Sequence, residues 1–345
     1  MAYANYGDVI QAKIWVDWYK INGYKILFIC YDYGKRICCD KLGIKTTEVI
    51  STGDFLKTDY FQKGYQIFHL YGGGYLNILW YKDFVCLIKK ANKIGMSIIA
   101  TGVQVDKKYA CSVKNIPIKY ISVRDQLSKR LVGDKKTLIL DDSFLYFNNK
   151  KFYYKIISKI SRFGNCNNIL LQLSLNSYVY EKDNKTNVES IFKLIIQKLE
   201  KDNYLTISSS FPPEMKEILE AKNLVNYLDI NSKKITYSTT SIIDRWNYKK
   251  RFKLAIVNSF HTYLELVYRF RCPVYFLALN EFYKQKASGL ISYGLLDNDH
   301  LITDLKDLFK LTDKGIVGKS INSNVLDKIN NKSKIVIKRM VKILK

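Results

Sequence analysis

Short β-rich apolar runs alternate along this chain with stretches whose apolar residues recur at helical spacing. The first helical stretch predicts a helix from about Val9 to Asn22, and Gly23 would end it. Alternation of this kind is typical of α/β domains built on a parallel sheet. In the first half of the chain, the predicted strands are residues 24–32, 65–71, 96–102, 118–125 and 136–142.

The second half of the chain repeats the alternation, and 345 residues exceed the usual size of one domain. We therefore predict an α/β protein of two Rossmann-like domains that face each other across a cleft, with ligands at the carboxyl ends of the strands. The predicted boundaries give an N-terminal domain of residues 1–148, a C-terminal domain of residues 149–320 and a basic amphipathic segment of residues 321–345. The predicted strands of the second half are residues 167–175, 204–210, 252–259 and 272–279.

The formal net charge of +25 bears on the partners of the protein rather than on its fold. From Leu326 to Lys345 there are seven Lys or Arg residues and one acidic residue, so this segment predicts a basic amphipathic helix, and a helix of this kind can rest on an anionic membrane. A helix packed on the protein, with a solvated basic face, is the alternative. No nucleic-acid-binding motif accompanies the charge, and we predict no nucleic-acid partner. The apolar residues of this helix include Ile335, Ile337, Met340, Val341 and Leu344.

The seven cysteines are an odd number, and no two of them have C-x-x-C spacing. This usage is typical of reduced cysteines in the cytoplasm, and it predicts neither a disulfide framework nor a metal site. No apolar run reaches the ~18 residues of a transmembrane helix, and the N-terminus lacks the apolar region of a signal peptide. We expect a cytoplasmic protein, and the basic C-terminal segment leaves peripheral attachment to the inner face of the cell membrane open.

Three consecutive glycines, Gly72, Gly73 and Gly74, follow a predicted strand and precede a predicted helix. Glycines at such a turn let the backbone approach a ligand, and the helix that follows favours an anion. The alternative is a tight turn without a ligand.

Near the chain start, Asp8 lies at the beginning of the first predicted helix. It either caps that helix or, together with Asn5, holds hydroxyls of an acceptor.

Two cationic side chains also follow predicted strands. Arg124 ends one strand, and its planar guanidinium suits a carboxylate or a phosphate. Asp125 after it is a natural cap of the helix that follows. His261 follows another strand and begins a helix, and histidine exchanges protons near neutral pH. Each residue also has a purely structural interpretation. Arg124 could pair with an acidic neighbour, and His261 could be a structural histidine. We interpret the other two histidines, His69 within a strand and His300 in a loop, as structural.

Two lysines follow the last predicted strand of the second half. Lys284 and Lys286 lie at the start of a helix, where either could reach into the same crevice. The alternative is a solvated pair of lysines, which is the commoner case. The residues alone leave this choice open.

Five motifs occur along the chain in an order that resembles that of the polysaccharide pyruvyl transferase family. The resemblance covers roughly residues 5–295 and implies a two-domain fold of the GT-B type. Each motif is weak alone, and the specificity comes from their order. The motifs are "NYGDVIQ" (5–11), "YGGGYLN" (71–77), "SVRDQLS" (122–128), "SFHTYLEL" (259–266) and "CPVYFLAL" with a later "KQK" (272–286).

The resemblance implies transfer of pyruvate from phosphoenolpyruvate, as donor substrate and without a further cofactor, onto two hydroxyls of a sugar. The acceptor would be a polysaccharide or a lipid-linked glycan precursor. Arg124 would bind anionic groups of the donor, and His261 would lie near the reacting carbon. The basic residue of the family beyond the next strand matches Lys286 or Lys284, and the spacing favours Lys286. Candidate acceptor-binding residues are Asn5, Asp8, Gly72, Gly73, Gly74 and Asn77.

Two departures from the family pattern accompany the resemblance. Ser259, counted with the donor-binding candidates, stands where many members have arginine. Only Met1 to Ala4 precede Asn5, where the family usually has a full strand, so that strand is either absent or encoded upstream. The alternative function is a GT-B glycosyltransferase that uses a nucleotide sugar. Such an enzyme needs a carboxylate for the ribose, and none is clear in the second half of the sequence.

Overall fold

The structure is a computed structural model of the chain. It describes residues 6–30, 43–73, 76, 81–133, 137–149, 168–172, 193, 195–197, 204–208, 222–223, 225–226, 234–238, 252–267, 273–304, 307 and 323–344. The chain divides into two compact units. The first unit contains Met1–Asn149 and Asn324–Lys345, and the second contains Lys150–Ser323. The basic C-terminal segment therefore groups with the first unit.

The first unit alternates strands and helices along the chain. Its elements are α1 (Tyr6–Ile21), β1 (Phe28–Cys30), β2 (Val49–Ser51), α2 (Thr52–Lys57), β3 (Ile67–Tyr71), α3 (Tyr81–Lys93), β4 (Ser97–Val103), α4 (Ala110–Lys114), β5 (Ile118–Val123), α5 (Gln126–Val132), β6 (Leu138–Ile139) and α6 (Ser143–Asn149). All pairs of described strands are parallel. They form a two-stranded sheet, β1-β2, and a four-stranded sheet, β3-β4-β5-β6.

The core of the first unit shows why these segments fold as they do. Helix α3 presents one apolar stripe, spaced by three and four residues, to the four-stranded sheet. Gly95, with a φ of 83°, follows the helix and lets the chain turn into β4. Each large apolar side chain buried in this way contributes about 1.5–3 kcal/mol. The stripe on α3 consists of Phe84, Leu87, Ile88 and Ala91.

The second unit has one continuous parallel sheet. Its elements are β7 (Asn168–Gln172), β8 (Tyr204–Ser208), β9 (Ile235–Ser238), β10 (Leu254–Val257), α7 (Phe260–Glu265), β11 (Val274–Leu277), α8 (Glu281–Ser292) and β12 (Leu301–Ile302). The strand order is β12-β11-β10-β7-β8-β9. Every residue of β10 and β11 is buried, which is typical of inner strands that are covered on both faces.

The C-terminal helix α9 (Ser323–Leu344) packs on the protein. Its buried residues Ile329, Ser333, Val336 and Met340 form one stripe. The Arg339 guanidinium lies 5.9 Å from the centre of the Tyr120 ring of β5. Met340 is fully buried, and Ile335 is 41% exposed. The helix thus matches the alternative of a packed helix with a basic outer face. None of the described helices is long and apolar enough to cross a bilayer.

Met340→Ala tests this packing. Met340 has no exposed surface, so we expect truncation to lower the free energy of unfolding by about 2–5 kcal/mol in a urea titration. The matched control is Ile335→Ala on the exposed side of the same helix, which should change the free energy by only about 0.5 kcal/mol. Equal losses for both variants would contradict the packing of α9.

Candidate active site

Three predicted site residues lie at the carboxyl edge of the four-stranded sheet. Gly72 and Gly73 follow β3, and Arg124 follows β5. The strand between them, β4, is bonded to both. The N–H of Gln104 donates to the carbonyl of Gly73 (3.0 Å), and the N–H of Arg124 donates to the carbonyl of Val103 (3.1 Å). The fold therefore brings the glycine turn and the arginine to one edge of one sheet.

Gly72 is held by contacts inside the protein. Its φ is 47°, and a Cβ at this position would lie 2.3 Å from Cδ of Gln11. Its N–H lies 2.6 Å from the carbonyl of Thr101 and 3.1 Å from a carboxylate oxygen of Asp142. At Gly72 this packing, rather than the approach of a ligand, accounts for the glycine. The neighbouring Gly73, with a φ of 82°, keeps its predicted place at the turn.

The carboxyl group of Asp142 joins α1, β3 and β4. Its Oδ2 accepts hydrogen bonds from the indole N–H of Trp15 (2.8 Å), the hydroxyl of Thr101 (2.6 Å) and the N–H of Gly72 (3.1 Å). Gly102 makes room for Asp142, because a Cβ there would lie 2.8 Å from the Asp142 nitrogen. Burial raises the pKa of Asp142 from 3.8 to about 7, against the lowering effect of these three hydrogen bonds.

Asp141 completes a buried acidic pair that sequence reasoning missed. Its Oδ1 accepts hydrogen bonds from the Gln11 amide (3.1 Å) and the Ser143 N–H (2.9 Å). A signal was available, since the two acids stand at the end of an apolar run, as Arg124 does. The predicted strand of residues 136–142 includes both acids, whereas β6 ends at Ile139. Both acids are fully buried beyond that end.

A chain of hydrogen bonds connects Asp142 with His69 and Tyr19. Because the Thr101 hydroxyl donates to Asp142, it accepts from Nε2–H of His69 at 2.8 Å. Nδ1 of His69 is then the acceptor for the Tyr19 hydroxyl at 3.0 Å. Loss of solvation lowers the pKa of His69 to about 3, so the ring is neutral near neutral pH. His69 is thus engaged inside the first unit.

The other candidates of the first unit divide into described and undescribed residues. Asp8 is 7% exposed and lies in the first turn of α1, which begins at Tyr6, so it is not the N-cap. Its carboxylate still faces the positive end of the helix dipole. Arg124 is only 2% exposed. Asn5, Gly74 and Asn77 lie outside the residues that the structure describes.

The residue after Arg124 has the structural role that the sequence predicts. Asp125 is the N-cap of α5, and its Oδ1 accepts the N–H of Ser128 (2.8 Å). The Ser128 hydroxyl donates to the other oxygen of Asp125 (2.7 Å) and accepts the N–H of Val105 (2.9 Å). The turn that carries Arg124 is therefore fixed by its own helix cap and by the chain beyond β4.

In the second unit, β10 delivers Ser259 and His261 to the carboxyl edge. Ser259 is the N-cap of α7, and its hydroxyl accepts the N–H of Thr262 (3.3 Å). His261 lies in the first turn of this helix and is 8% exposed. Gln172 at the end of β7 fixes the turn. Its carbonyl accepts the N–H of Asn258 and its side-chain oxygen accepts the N–H of Ser259, both at 3.1 Å.

Ser259 has a structural role, and Gln172 is a candidate site residue that the sequence did not reveal. A serine at position 259 has a structural reason, since serine is a preferred N-cap and arginine is not. The sequence signal for Gln172 is a polar residue at the end of an apolar run. Its Nε2 is buried and has no hydrogen-bond partner within the described part of the chain. It is therefore a further candidate for a ligand contact.

The two candidate lysines lie in the first half of α8, directly after β11, and α8 packs beside α7. Lys284 is exposed, and its ammonium lies 3.0 Å from a carboxylate oxygen of Glu281. The Lys286 ammonium lies 4.1 Å and 4.7 Å from the ring centres of Phe282 and Tyr283. Lys284 thus fits the solvated alternative, whereas Lys286 is partly buried on an aromatic surface. Across the described residues, no group of three or more His, Cys, Asp and Glu side chains could hold a metal ion.

Solved structures with a similar fold define the fold class of the protein. A putative UDP-N-acetylglucosamine 2-epimerase from Listeria monocytogenes has a TM-score of 0.58 at 13% identity, over 94% of this chain and 88% of that chain. S. aureus MnaA, solved with UDP, has a TM-score of 0.59 at 11% identity, over 97% and 95%. Acinetobacter baumannii MurG has a TM-score of 0.53 at 11% identity, over 97% and 96%. Two Rossmann-like units and these similarities confirm the predicted GT-B-like α/β fold.

The family of the protein follows from its sequence. The model of the polysaccharide pyruvyl transferase family matches residues 5–272, which is more than half of the chain. The chain therefore belongs to the polysaccharide pyruvyl transferase family, as the order of its motifs predicts. The matched span includes Arg124 and His261 and ends before Lys284 and Lys286. No curated protein matches the chain significantly.

Asp142→Asn should change how stability depends on pH. The pKa of Asp142 is about 7 in the folded protein and 3.8 ordinarily, so its stabilising effect is complete below pH 4 and is lost as the pH rises through 7. About three pKa units at about 1.4 kcal/mol each give a loss on the order of 4 kcal/mol. We expect Asp142→Asn to abolish this part of the loss, as measured by urea titrations between pH 4 and pH 8.

Asp59→Asn is the matched control for this measurement. Asp59 is exposed, and its Oδ1 accepts the N–H of Phe61, which an asparagine oxygen can also do. This variant should keep the wild-type dependence on pH. If Asp142→Asn also kept it, the raised pKa of Asp142 would be refuted.

Gly72→Ala should destabilise the first unit more than Gly23→Ala does. Both glycines have a positive φ, 47° and 77°, but a Cβ at Gly23 meets no atom within 4 Å. Gly23→Ala should therefore cost only the ~1–2 kcal/mol of the left-handed conformation. Gly72→Ala should cost about 1–3 kcal/mol more, because the Cβ overlaps Gln11. Equal losses in thermal unfolding would show that the Gln11 contact does not require glycine.

Proposed function

We propose that this protein transfers the pyruvyl group of phosphoenolpyruvate onto two hydroxyls of one sugar, in a polysaccharide or a lipid-linked glycan precursor. Membership of the polysaccharide pyruvyl transferase family supports this reaction class. The observation that carries the proposal further is the position of Arg124 and His261. Arg124 directly follows the carboxyl end of β5, and His261 lies in the first turn of the helix that follows β10, so each lies at an edge where α/β proteins bind ligands.

Phosphoenolpyruvate carries a carboxylate and a phosphate, and both groups call for cationic side chains. Arg124 has the paired donors that suit either group, and its turn is fixed by the cap of α5. Lys286 is our choice over Lys284 for the second cation, because Lys284 already pairs with Glu281. Ser259 has an indirect role in this scheme, since it fixes the turn that carries His261.

The proposed chemistry forms a cyclic ketal and releases phosphate. The methylene carbon of the donor gains a proton, its C2 bonds to two sugar oxygens, and the bond from C2 to the phosphate oxygen breaks. One hydroxyl proton ends on the new methyl group, and the other leaves with the phosphate. His261 moves the proton between oxygen and carbon. Arg124 and Lys286 stabilise the charge on the departing phosphate.

On the acceptor side, we assign hydroxyl binding to the glycine turn after β3 and the start of α1. Within the described part of this region, Gly73 and the buried carboxylate of Asp8 are the candidates. The N–H of Gly72 already has acceptors in Thr101 and Asp142, so its role is to shape the turn. The remaining acceptor-binding candidates are Asn5, Gly74 and Asn77.

A position at the cytoplasmic face of an anionic membrane is also part of the proposal. The net charge of +25 and the basic outer face of α9 support it. Because the inner side of α9 is buried, the attraction would be electrostatic and would weaken as salt is added.

A nucleotide-sugar glycosyltransferase is the second candidate. It is favoured by one observation, the UDP in the co-structure of S. aureus MnaA, whose fold is similar. The two candidates differ in donor, so thermal unfolding with each donor separates them. Stabilisation by phosphoenolpyruvate and none by UDP supports pyruvyl transfer, and the reverse supports the glycosyltransferase.

Phosphate release from phosphoenolpyruvate, in the presence of glycan acceptors, tests the assignment of residues. We expect His261→Ala and Arg124→Ala each to lower the rate at least about 10²-fold, because each removes a group that acts on the reacting donor. His300→Ala is the control. His300 lies in the short 3₁₀ helix Asn298–His300 and should be dispensable for turnover. Turnover at the wild-type rate in both site variants would refute these roles.

A further inference from the structure

The strand order of the second unit marks one place along the edge of its sheet. From β7 the chain adds β8 and β9 on one side, and it then returns to add β10, β11 and β12 on the other side of β7. The order therefore reverses between β7 and β10, and open parallel sheets bind ligands outside the carboxyl ends of their strands at such a point. Gln172 ends β7, and Ser259 and His261 follow β10. Ser208, which ends β8, is next to β7 on the other side.

Gln172 and Ser208 share one face of this sheet. Leu171 of β7 is in register with Ile207 of β8, so the next residues, Gln172 and Ser208, are in register at the ends of the two strands. Residues in register have side chains on the same face of a sheet, and neighbouring strands lie about 4.8 Å apart. The two polar side chains are therefore neighbours at the carboxyl edge.

Both side chains are buried, and each has a polar atom that no described residue satisfies. Gln172 is 1% exposed and Ser208 is 2% exposed. Oε1 of Gln172 accepts the N–H of Ser259 at 3.1 Å. Its Nε2 and the Oγ of Ser208 have no hydrogen-bond partner in the part of the chain that the structure describes. A buried polar group without a partner destabilises the folded protein and is uncommon in native structures.

The same face of β8 carries a second hydroxyl two residues earlier. The Thr206 hydroxyl is fully buried, and it lies 3.0 Å from Oδ1 of Asn168 on β7 and 3.0 Å from the hydroxyl of Thr236 on β9. Inside the sheet, the neighbouring strands thus satisfy a buried hydroxyl. At the carboxyl edge, where ligands bind, the described residues leave the hydroxyl of Ser208 unsatisfied.

We propose that Gln172 and Ser208 form a subsite for an anionic oxygen of the donor substrate. The amide nitrogen of glutamine only donates hydrogen bonds, and a serine hydroxyl can donate as well, so the ligand atom that satisfies both is an acceptor. Hydrogen bonds to a charged oxygen are stronger than those to a neutral one, which favours a carboxylate or phosphate oxygen over a sugar hydroxyl. Phosphoenolpyruvate carries both groups, and the subsite rests on the proposed function for this identity of its ligand.

Gln172 also connects the subsite with the candidate histidine. One end of its amide accepts the N–H of Ser259, the cap of α7, and His261 lies in the first turn of that helix. A hydrogen bond from the other end to the donor polarises the same amide and strengthens its bond to Ser259. Donor binding and the placement of the turn before His261 are thereby coupled. Neither side chain of the subsite carries a charge, so the subsite orients the bound oxygen rather than neutralising it.

Ser208→Ala tests the subsite, because it removes the hydroxyl and little else. We expect the Kd of phosphoenolpyruvate, measured by isothermal titration calorimetry with the full chain, to rise about tenfold or more. The thermal unfolding midpoint should not fall, since the hydroxyl has no partner among the described residues. The matched control is Thr206→Val, which removes a hydroxyl that has partners. It should lower the midpoint by about 2–4 °C and leave the Kd unchanged.

Gln172→Glu is the second variant. One carboxylate oxygen can still accept the N–H of Ser259, whereas the other replaces the donating Nε2 and repels an anion. We expect the Kd of phosphoenolpyruvate to rise at least about tenfold. Wild-type affinity for every probe in either variant would overturn the subsite. So would an equal rise of the Kd in Thr206→Val and Ser208→Ala, because the effect would then not belong to the strand ends.

Inorganic phosphate and pyruvate, used as separate probes, identify the group that the subsite binds. Weaker binding of inorganic phosphate by Ser208→Ala assigns the subsite to the phosphate, and weaker binding of pyruvate assigns it to the carboxylate. If the wild-type protein binds inorganic phosphate but not phosphoenolpyruvate, the proposed function fails, whereas loss of phosphate binding in Ser208→Ala still supports the subsite. A wild-type protein that binds none of the three probes would overturn the subsite.

Discussion

The buried carboxyl group of Asp142 is the interaction on which the first unit depends. One oxygen accepts hydrogen bonds from the indole of Trp15 in α1, the hydroxyl of Thr101 in β4 and the N–H of Gly72. A single group therefore fixes the helix, the sheet and the glycine turn. Gly72 and Gly102 are glycines because side chains there would overlap Gln11 and Asp142. The cost of burying this acid appears in its pKa of about 7. Precise placement of the turn is what an acceptor site would require.

In the second unit, a glutamine and a serine hold the turn that carries the candidate histidine. Gln172 of the central strand β7 bonds the chain after β10, and Ser259 then caps α7, so the turn that precedes His261 is fixed. Arg124 is placed similarly, with β4 bonded to its backbone and Asp125 capping the helix that follows. In both units the strand ends are fixed by bonds to the neighbouring strand. Charged side chains on the exposed helix surfaces leave these bonds at the strand ends intact.

The sequence predicted the fold class and most strands, because inner parallel strands are continuous apolar runs with glycines or polar residues at their ends. It also predicted the cap at Asp125, whose signal is local. Long-range bonds left no local signal, so the Gln11–Asp141 contact across the unit was not predictable. The short helix α2 was missed although Ser51 and Asp54 form a capping box, because its six residues are too few to show a period. The apolar residues of α9 did not decide between a membrane and the protein as what covers them, since periodicity alone does not say what covers an apolar face, and the structure buries Met340.

Pyruvyl transfer is the central claim, and the fate of the donor carbon tests it most directly. Phosphoenolpyruvate labelled with ¹³C at C2 can be followed by NMR in the presence of the full-length protein and a glycan acceptor. The claim predicts that the label moves from the enol carbon to a ketal carbon attached to the glycan, with release of one phosphate for each ketal. Label that stays in phosphoenolpyruvate, while the same protein transfers a sugar from a UDP-sugar to the acceptor, would contradict it.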